Sequence, residues 1–181
     1  MLTLNNVSVK KLVKYFILLL PFLLILGCNK GIVPNSIEEE QQKAGFSGTI
    51  TFKGTWPDSV KNTLVIVFIN PLTSPGSFSV FNVGYISHPI PYGVTEYNFS
   101  TLIDSGFVPI QAGSYSYVAI AQSKKSILSL NRSDWIVAGF YYSNEDTTQP
   151  GKLEIPQNTL VKDVNIICDF NNPPPQPPGG N

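Results

Sequence analysis

Charge is scarce in this chain. Only 13% of its 181 residues are charged, and its 12 basic and 12 acidic side chains cancel. That share is about half the usual one, so the surface must rely on Ser, Thr, Asn and Gln, which favours a strand-rich exported protein over a helical cytosolic one. Three lysines, Lys10, Lys11 and Lys14, precede the first long apolar run. Without residues 1–27, nine basic side chains face 12 acidic ones. No basic field remains to gather phosphates, and nucleic acid is not an expected partner.

Histidine is scarcer still. The one residue, His88, stands in YISHPIPYGV between prolines and reads as a loop residue rather than a catalytic base. No Gly-x-Ser-x-Gly elbow accompanies it. A zinc site needs three or four converging His, Cys or acidic ligands, and one histidine with two cysteines does not supply them. The nearest oxygen-rich clusters, Asn131 to Asp134 and Asn144 to Thr148, lack the EF-hand pattern and read as turns in which Asn and Asp cap their own backbone. No metal, no cofactor and no enzymatic activity are expected. Helical periodicity is also missing beyond residue 45, where only Ser123 to Leu130 has the makings of a short helix.

What the chain does have begins with Tyr15 to Leu26, YFILLLPFLLIL, apolar throughout and preceded by the three lysines. That order is the order of a signal peptide. Twelve residues of helix rise about 18 Å, short of the roughly 30 Å hydrocarbon layer, and Pro21 would kink them, so a membrane span is the poorer reading. The run ends in Ile25, Leu26, Gly27, Cys28, which resembles the lipobox of bacterial lipoproteins. The resemblance implies a diacylglyceryl group on the Cys28 thiol and cleavage before it. It places the protein in the bacterial cell envelope, anchored at the outer membrane, with its domain in the periplasm or on the surface. Two or three acyl chains hold stably where one does not. Once Cys28 is lipidated, Cys168 has no intrachain disulfide partner and becomes a small core residue on the apolar face of the last strand. Residues 28–45, which include the acidic run Glu38 to Glu40, read as a solvated tether.

From Phe46 the pattern has period two: Phe46, Gly48, Ile50 and Phe52 share one face. Thr63 to Asn70 is apolar at six consecutive positions and suits a central strand. Further strands are expected at Phe78 to Ile86 with Phe81, Val83 and Tyr85 inward, at Val94 to Ser100, Ser114 to Gln122 and Trp135 to Tyr142, and finally at Leu160 to Phe170 with Val164, Ile166, Cys168 and Phe170 together. About seven strands over residues 46–170 predict a single antiparallel Greek-key β-sandwich. The Pro/Gly-rich tail, residues 171–181, cannot continue a sheet and is expected to be a disordered spacer.

FSGTITFKG at the start of the domain and IQAGSYSYVAIAQ in its middle resemble the carboxypeptidase-regulatory-like, or transthyretin-like, sandwich modules. Gln111, Ala112, Gly113, Ser114, Tyr115 stand where those modules carry Pro-Ala-Gly-x-Tyr. Within that superfamily the hydroxyisourate hydrolases depend on several histidines and a C-terminal Tyr-Arg-Gly-Ser, which this chain lacks. A non-catalytic structural or interaction module, meeting an envelope protein, is therefore the expectation. The alternative is a glycan-binding module with Trp56, beside Pro57, and Tyr92, between Pro91 and Gly93, as exposed stacking platforms.

Overall fold

Ten strands and three short 3-10 turns, with no α-helix, make up residues 43–143 and 148–180, which the computed structural model describes. The signal segment, Cys28 and nearly all of the tether lie outside them. The strands are β1 (Gly45–Lys53), β2 (Asn62–Phe68), β3 (Val83–Ile86), β4 (Glu96–Ser100), β5 (Gly113–Tyr115), β6 (Tyr117–Ser123), β7 (Ile136–Phe140), β8 (Leu153–Ile155), β9 (Leu160–Val161) and β10 (Ile166–Asp169). One sheet has the order β10-β1-β4 with β9 on the start of β1, a second has the order β3-β2-β6-β7, and β5 with β8 forms a small ribbon.

Alternation produces the layers. Phe46, Ile50 and Phe52 of β1, with Ile166 and Cys168 of β10, meet Val65 and Val67 of β2 and Val118 and Ile120 of β6 in one core. The arrangement is sandwich-like and all-β. Burying each such aliphatic or aromatic side chain contributes about 1.5–3 kcal/mol. β2 is buried at all seven positions, because β3 and β6 flank it and its second face is covered too. There Leu64, Ile66 and Phe68 pack with Leu72, Ala121 and Trp135 in a smaller cluster.

The pairing is mostly antiparallel, but β1 pairs in parallel with both β9 and β10. The expected single strand from Leu160 to Phe170 is therefore two. Between them the chain crosses β1 closely: the Val164 amide donates to the Ser47 carbonyl at 3.0 Å, and the Asn165 side chain accepts from the Thr49 amide at 2.8 Å. Only a glycine tolerates that approach, since a Cβ on Gly48 would lie 2.2 Å from the Val164 carbonyl oxygen. Val164 itself remains fully buried, so the expected inward face survives the break.

Three further expectations need correction. Phe78 to Ile86 is a strand only from Val83, preceded by 3-10 turns at Pro75–Ser77 and Val80–Asn82. The buried Asn82 amide pins those turns: it accepts from the Asn70 amide and donates to the carbonyls of Asn70 and Ser77. Phe81, expected inside, is 91% exposed. Of Ser123 to Leu130, Ser123 ends β6 and residues 124–130 are irregular rather than helical, the Lys125 carbonyl accepting from the Asn62 side-chain amide and the Ser129 carbonyl from the Trp135 indole. The tail, expected to be disordered, is held at two points: the Gln176 amide both accepts from the Val137 N–H and donates to the Val137 carbonyl on β7, and Arg132 donates to the Pro177 carbonyl.

Candidate functional site

The turn after β1 carries Trp56, and the loop before β4 carries Tyr92. Their ring centroids are 5.1 Å apart, so the fold does bring the two expected stacking residues together. Their environments differ. Trp56 is half-buried, lies 4.6 Å from Phe52 and 5.2 Å from Phe170, and spends its indole N–H on the Val94 carbonyl at 2.9 Å. Tyr92 is 56% exposed and presents most of the surface open to a ligand.

His88 leaves β3 on a short extended segment and meets the loop after β4. Its Nδ1 is 2.5 Å from the Asp104 Oδ1, and Phe107 packs against the imidazole at 4.6 Å, edge to face. The same carboxylate oxygen accepts the Gly106 amide at 2.9 Å, while the Tyr85 hydroxyl donates to the Asp104 carbonyl at 3.1 Å. Burial pushes the Asp104 carboxyl up, but the Gly106 amide and the His88 hydrogen bond outweigh it and hold it below its ordinary value. Burial, then the neighbouring Asp104 charge, push the Tyr85 hydroxyl well up. An imidazole fixed by a carboxylate is the geometry of an oriented base. The adjacent Ser87 is not aimed at it: its hydroxyl donates to the His88 carbonyl at 2.7 Å and accepts the Val65 amide at 2.9 Å, which ties it to β2. Asp104, sixteen residues away from His88 and outside any recognisable motif, escapes sequence reasoning; the Asp-Ser-Gly turn was the one available signal.

Cys168 is a free, fully buried thiol whose ionisation burial pushes far up. Among the described residues no group of three or more His, Cys, Asp or Glu converges as a metal site. Asn131 begins a 3-10 turn, Arg132–Asp134, in which Asp134 accepts the Ser129 hydroxyl at 2.6 Å; most of the second oxygen-rich cluster, residues 144–147, lies outside the described residues. Cys28 does so as well. No described helix is long and apolar enough to cross a membrane.

A feature not legible in the sequence sits on the outer face of the second sheet. Leu64, Ile66, Phe68 and Trp135 form the floor of an apolar cavity of about 150 Å³, roofed by Phe78, Val80 and Val83 on one side and by Leu128 and Leu130 on the other. A cavity of such size and lining takes apolar groups no larger than about a benzene ring. Neither a family model, a curated protein nor a solved structure matches the chain.

Proposed function

We propose that the chain is a bacterial envelope lipoprotein: a lipid on Cys28, a short tether, and a Greek-key, transthyretin-like sandwich that serves as a non-catalytic structural or protein-interaction module. The observation that carries this reading is the order of residues 10–28: three lysines, twelve apolar residues that end in Ile25 and Leu26, then Gly27 and Cys28. Its length suits a processed signal better than a span. Two sheets closing on one core agree with the sandwich, and the commitment of Ser87 to the backbone agrees with a non-catalytic role. Labelled palmitate should enter the protein in a bacterial host and be lost in Cys28→Ala; incorporation that survives the substitution overturns the anchor. Capture of a defined envelope protein by the intact domain, and not by an unrelated sandwich, tests the module.

A second reading, glycan binding, is favoured by the 5.1 Å approach of Trp56 and Tyr92. Tyr92→Ala is the informative variant, because Trp56 also supports the core. Glycan binding by the intact chain that weakens in Tyr92→Ala supports this reading, and a glycan array on which the intact chain binds nothing ends it.

A further inference from the structure

Two loops of the second sheet turn large apolar side chains outward. On the segment between β2 and β3, Val80 is 52% and Phe81 is 91% exposed; on the segment between β6 and β7, Ile127 is 80%, Leu128 41% and Leu130 73% exposed. Val80, Leu128 and Leu130 line the same cavity, which sets the two loops side by side, and Phe81 and Ile127 are the next residues along each. Isolated exposed apolar residues need no explanation, but a cluster of five does.

The apolar stretches of both loops carry no charge. From Asn62 to Thr95 the chain carries no Lys, Arg, Asp or Glu, and from Ser126 to Asn131 none either, so both loops can enter a low-dielectric layer without stripping water from an ion. Lys124 and Lys125, both exposed, immediately precede the second loop. Arg132 is buried and donates to the Trp135 and Pro177 carbonyls. The acid on the same segment, Asp134, is half-buried and accepts the Ser129 hydroxyl, and the exposed Asp58 lies on the turn that borders Lys124 and Lys125, not on either apolar loop. Ile103 provides the contrast: it is as exposed as Phe81, but Asp104 follows it.

We propose that the Val80–Phe81 and Ile127–Leu130 loops form a docking tip for an anionic lipid surface, with the apolar side chains entering the interface and Lys124 and Lys125 meeting the lipid phosphates. Apolar side chains that penetrate the headgroup boundary beside lysines outside it are the chemistry of interfacial binding. Lysines close to an anionic leaflet strengthen it about fivefold each. The tip goes beyond the Cys28 anchor and does not depend on it: the anchor keeps the chain near a membrane, whereas the tip orients the domain on one.

The test uses the chain from residue 28, without the signal segment and with Cys28→Ala, so that neither a lipid nor the apolar run Tyr15 to Leu26 is present and Cys168, being buried, takes no label. An environment-sensitive fluorophore is placed at Ser126→Cys, within the tip, or at Ser105→Cys, beside Asp104. On phosphatidylcholine vesicles containing phosphatidylglycerol, the probe at 126 should shift to the blue and be quenched by brominated acyl chains, and the probe at 105 should stay in water. Lys124→Gln with Lys125→Gln should move docking about 30-fold toward the free state, and Phe81→Ser with Ile127→Ser, at exposed positions that leave the fold intact, should abolish the shift. Two unquenched probes, or two equally quenched ones, overturn the proposal. So does a response at 126 that follows protein concentration without vesicles, which would make the patch an interface between two copies. Palmitate incorporation at Cys28 is a separate measurement, so the failure of either reading leaves the other standing.

Discussion

A Cβ on Gly48 would meet the Val164 carbonyl carbon and oxygen at 2.5 and 2.2 Å, both of them backbone, and no side-chain rotation can relieve that clash. Gly48→Ala should therefore separate β1 from the crossing before β10 and cost about 2–3 kcal/mol, in the range of an overpacked core. A fall in the urea midpoint checks it, and an unchanged midpoint would mean that the crossing is free to move. Asp104 acts through charge instead. Its carboxyl is held below the ordinary value in the folded state, so its contribution is present above the unfolded carboxylate range and is lost as pH falls through the folded value. Asp104→Asn should lower the unfolding temperature at neutral pH and bring the two proteins together in acid. A thermal series across pH measures the convergence. These two residues mark what the sequence conceals at this scale: the need for glycine at 48 comes from Val164, and the carboxylate on His88 comes from a separate loop. Trp56 and Tyr92 could be picked out as loop aromatics beside proline, but the Val94 carbonyl that occupies the indole N–H could not be foreseen.

Elements were legible where one face is dry and the other wet. β1 shows its buried Phe46, Ile50 and Phe52 through alternation alone, and β2, covered on both faces, reads as a continuous apolar run. Phe78 to Asn82 misled because Phe81 continues the alternation of Val83 and Tyr85, while the turn that forms there is decided by Asn82 hydrogen bonds to Asn70 and Ser77. The outward Phe81, and with it the apolar tip, was hidden by the same error. The tail was misread for a related reason: proline cannot donate to a sheet, yet a side chain can. β7 pairs with β6 on one edge, and on the other the Gln176 amide accepts from the Val137 N–H at 2.8 Å and donates to its carbonyl at 2.9 Å. One glutamine thus stands in for one residue of a neighbouring strand and covers an exposed edge. Gln176→Ala should remove both bonds, each worth about 0.5–1.5 kcal/mol, and speed hydrogen exchange at the Val137 amide more than at amides within β2. Exchange at Val137 that does not change would show that the tail adds nothing to β7.

At the scale of the molecule, the first strand is completed by the last two. β1 takes β4 on one edge, β9 and then β10 on the other, so the sheet closes only after the chain has passed through the whole second sheet. Pairings this distant in sequence delay folding, because loop closure must precede the contacts that reward it, and such topologies fold on the order of milliseconds to seconds. They also tie the core to its C-terminal strands. A chain cut after Thr159 loses Val164, Ile166 and Cys168, three side chains with 1% exposure or less, and leaves one edge of β1 bare and the core it shares with β2 and β6 incomplete. Burial of the two aliphatic side chains alone is worth about 3–6 kcal/mol, comparable to the whole stability of a small domain. The 1–159 chain should therefore lack near-UV circular dichroism and be degraded by protease. A chain cut after Asn172 keeps β10 and loses only the tail; it should fold, with its exchange defect confined to β7. A folded 1–159 chain would mean that β1 and β4 with the second sheet suffice, and that β9 and β10 are added to a core already formed.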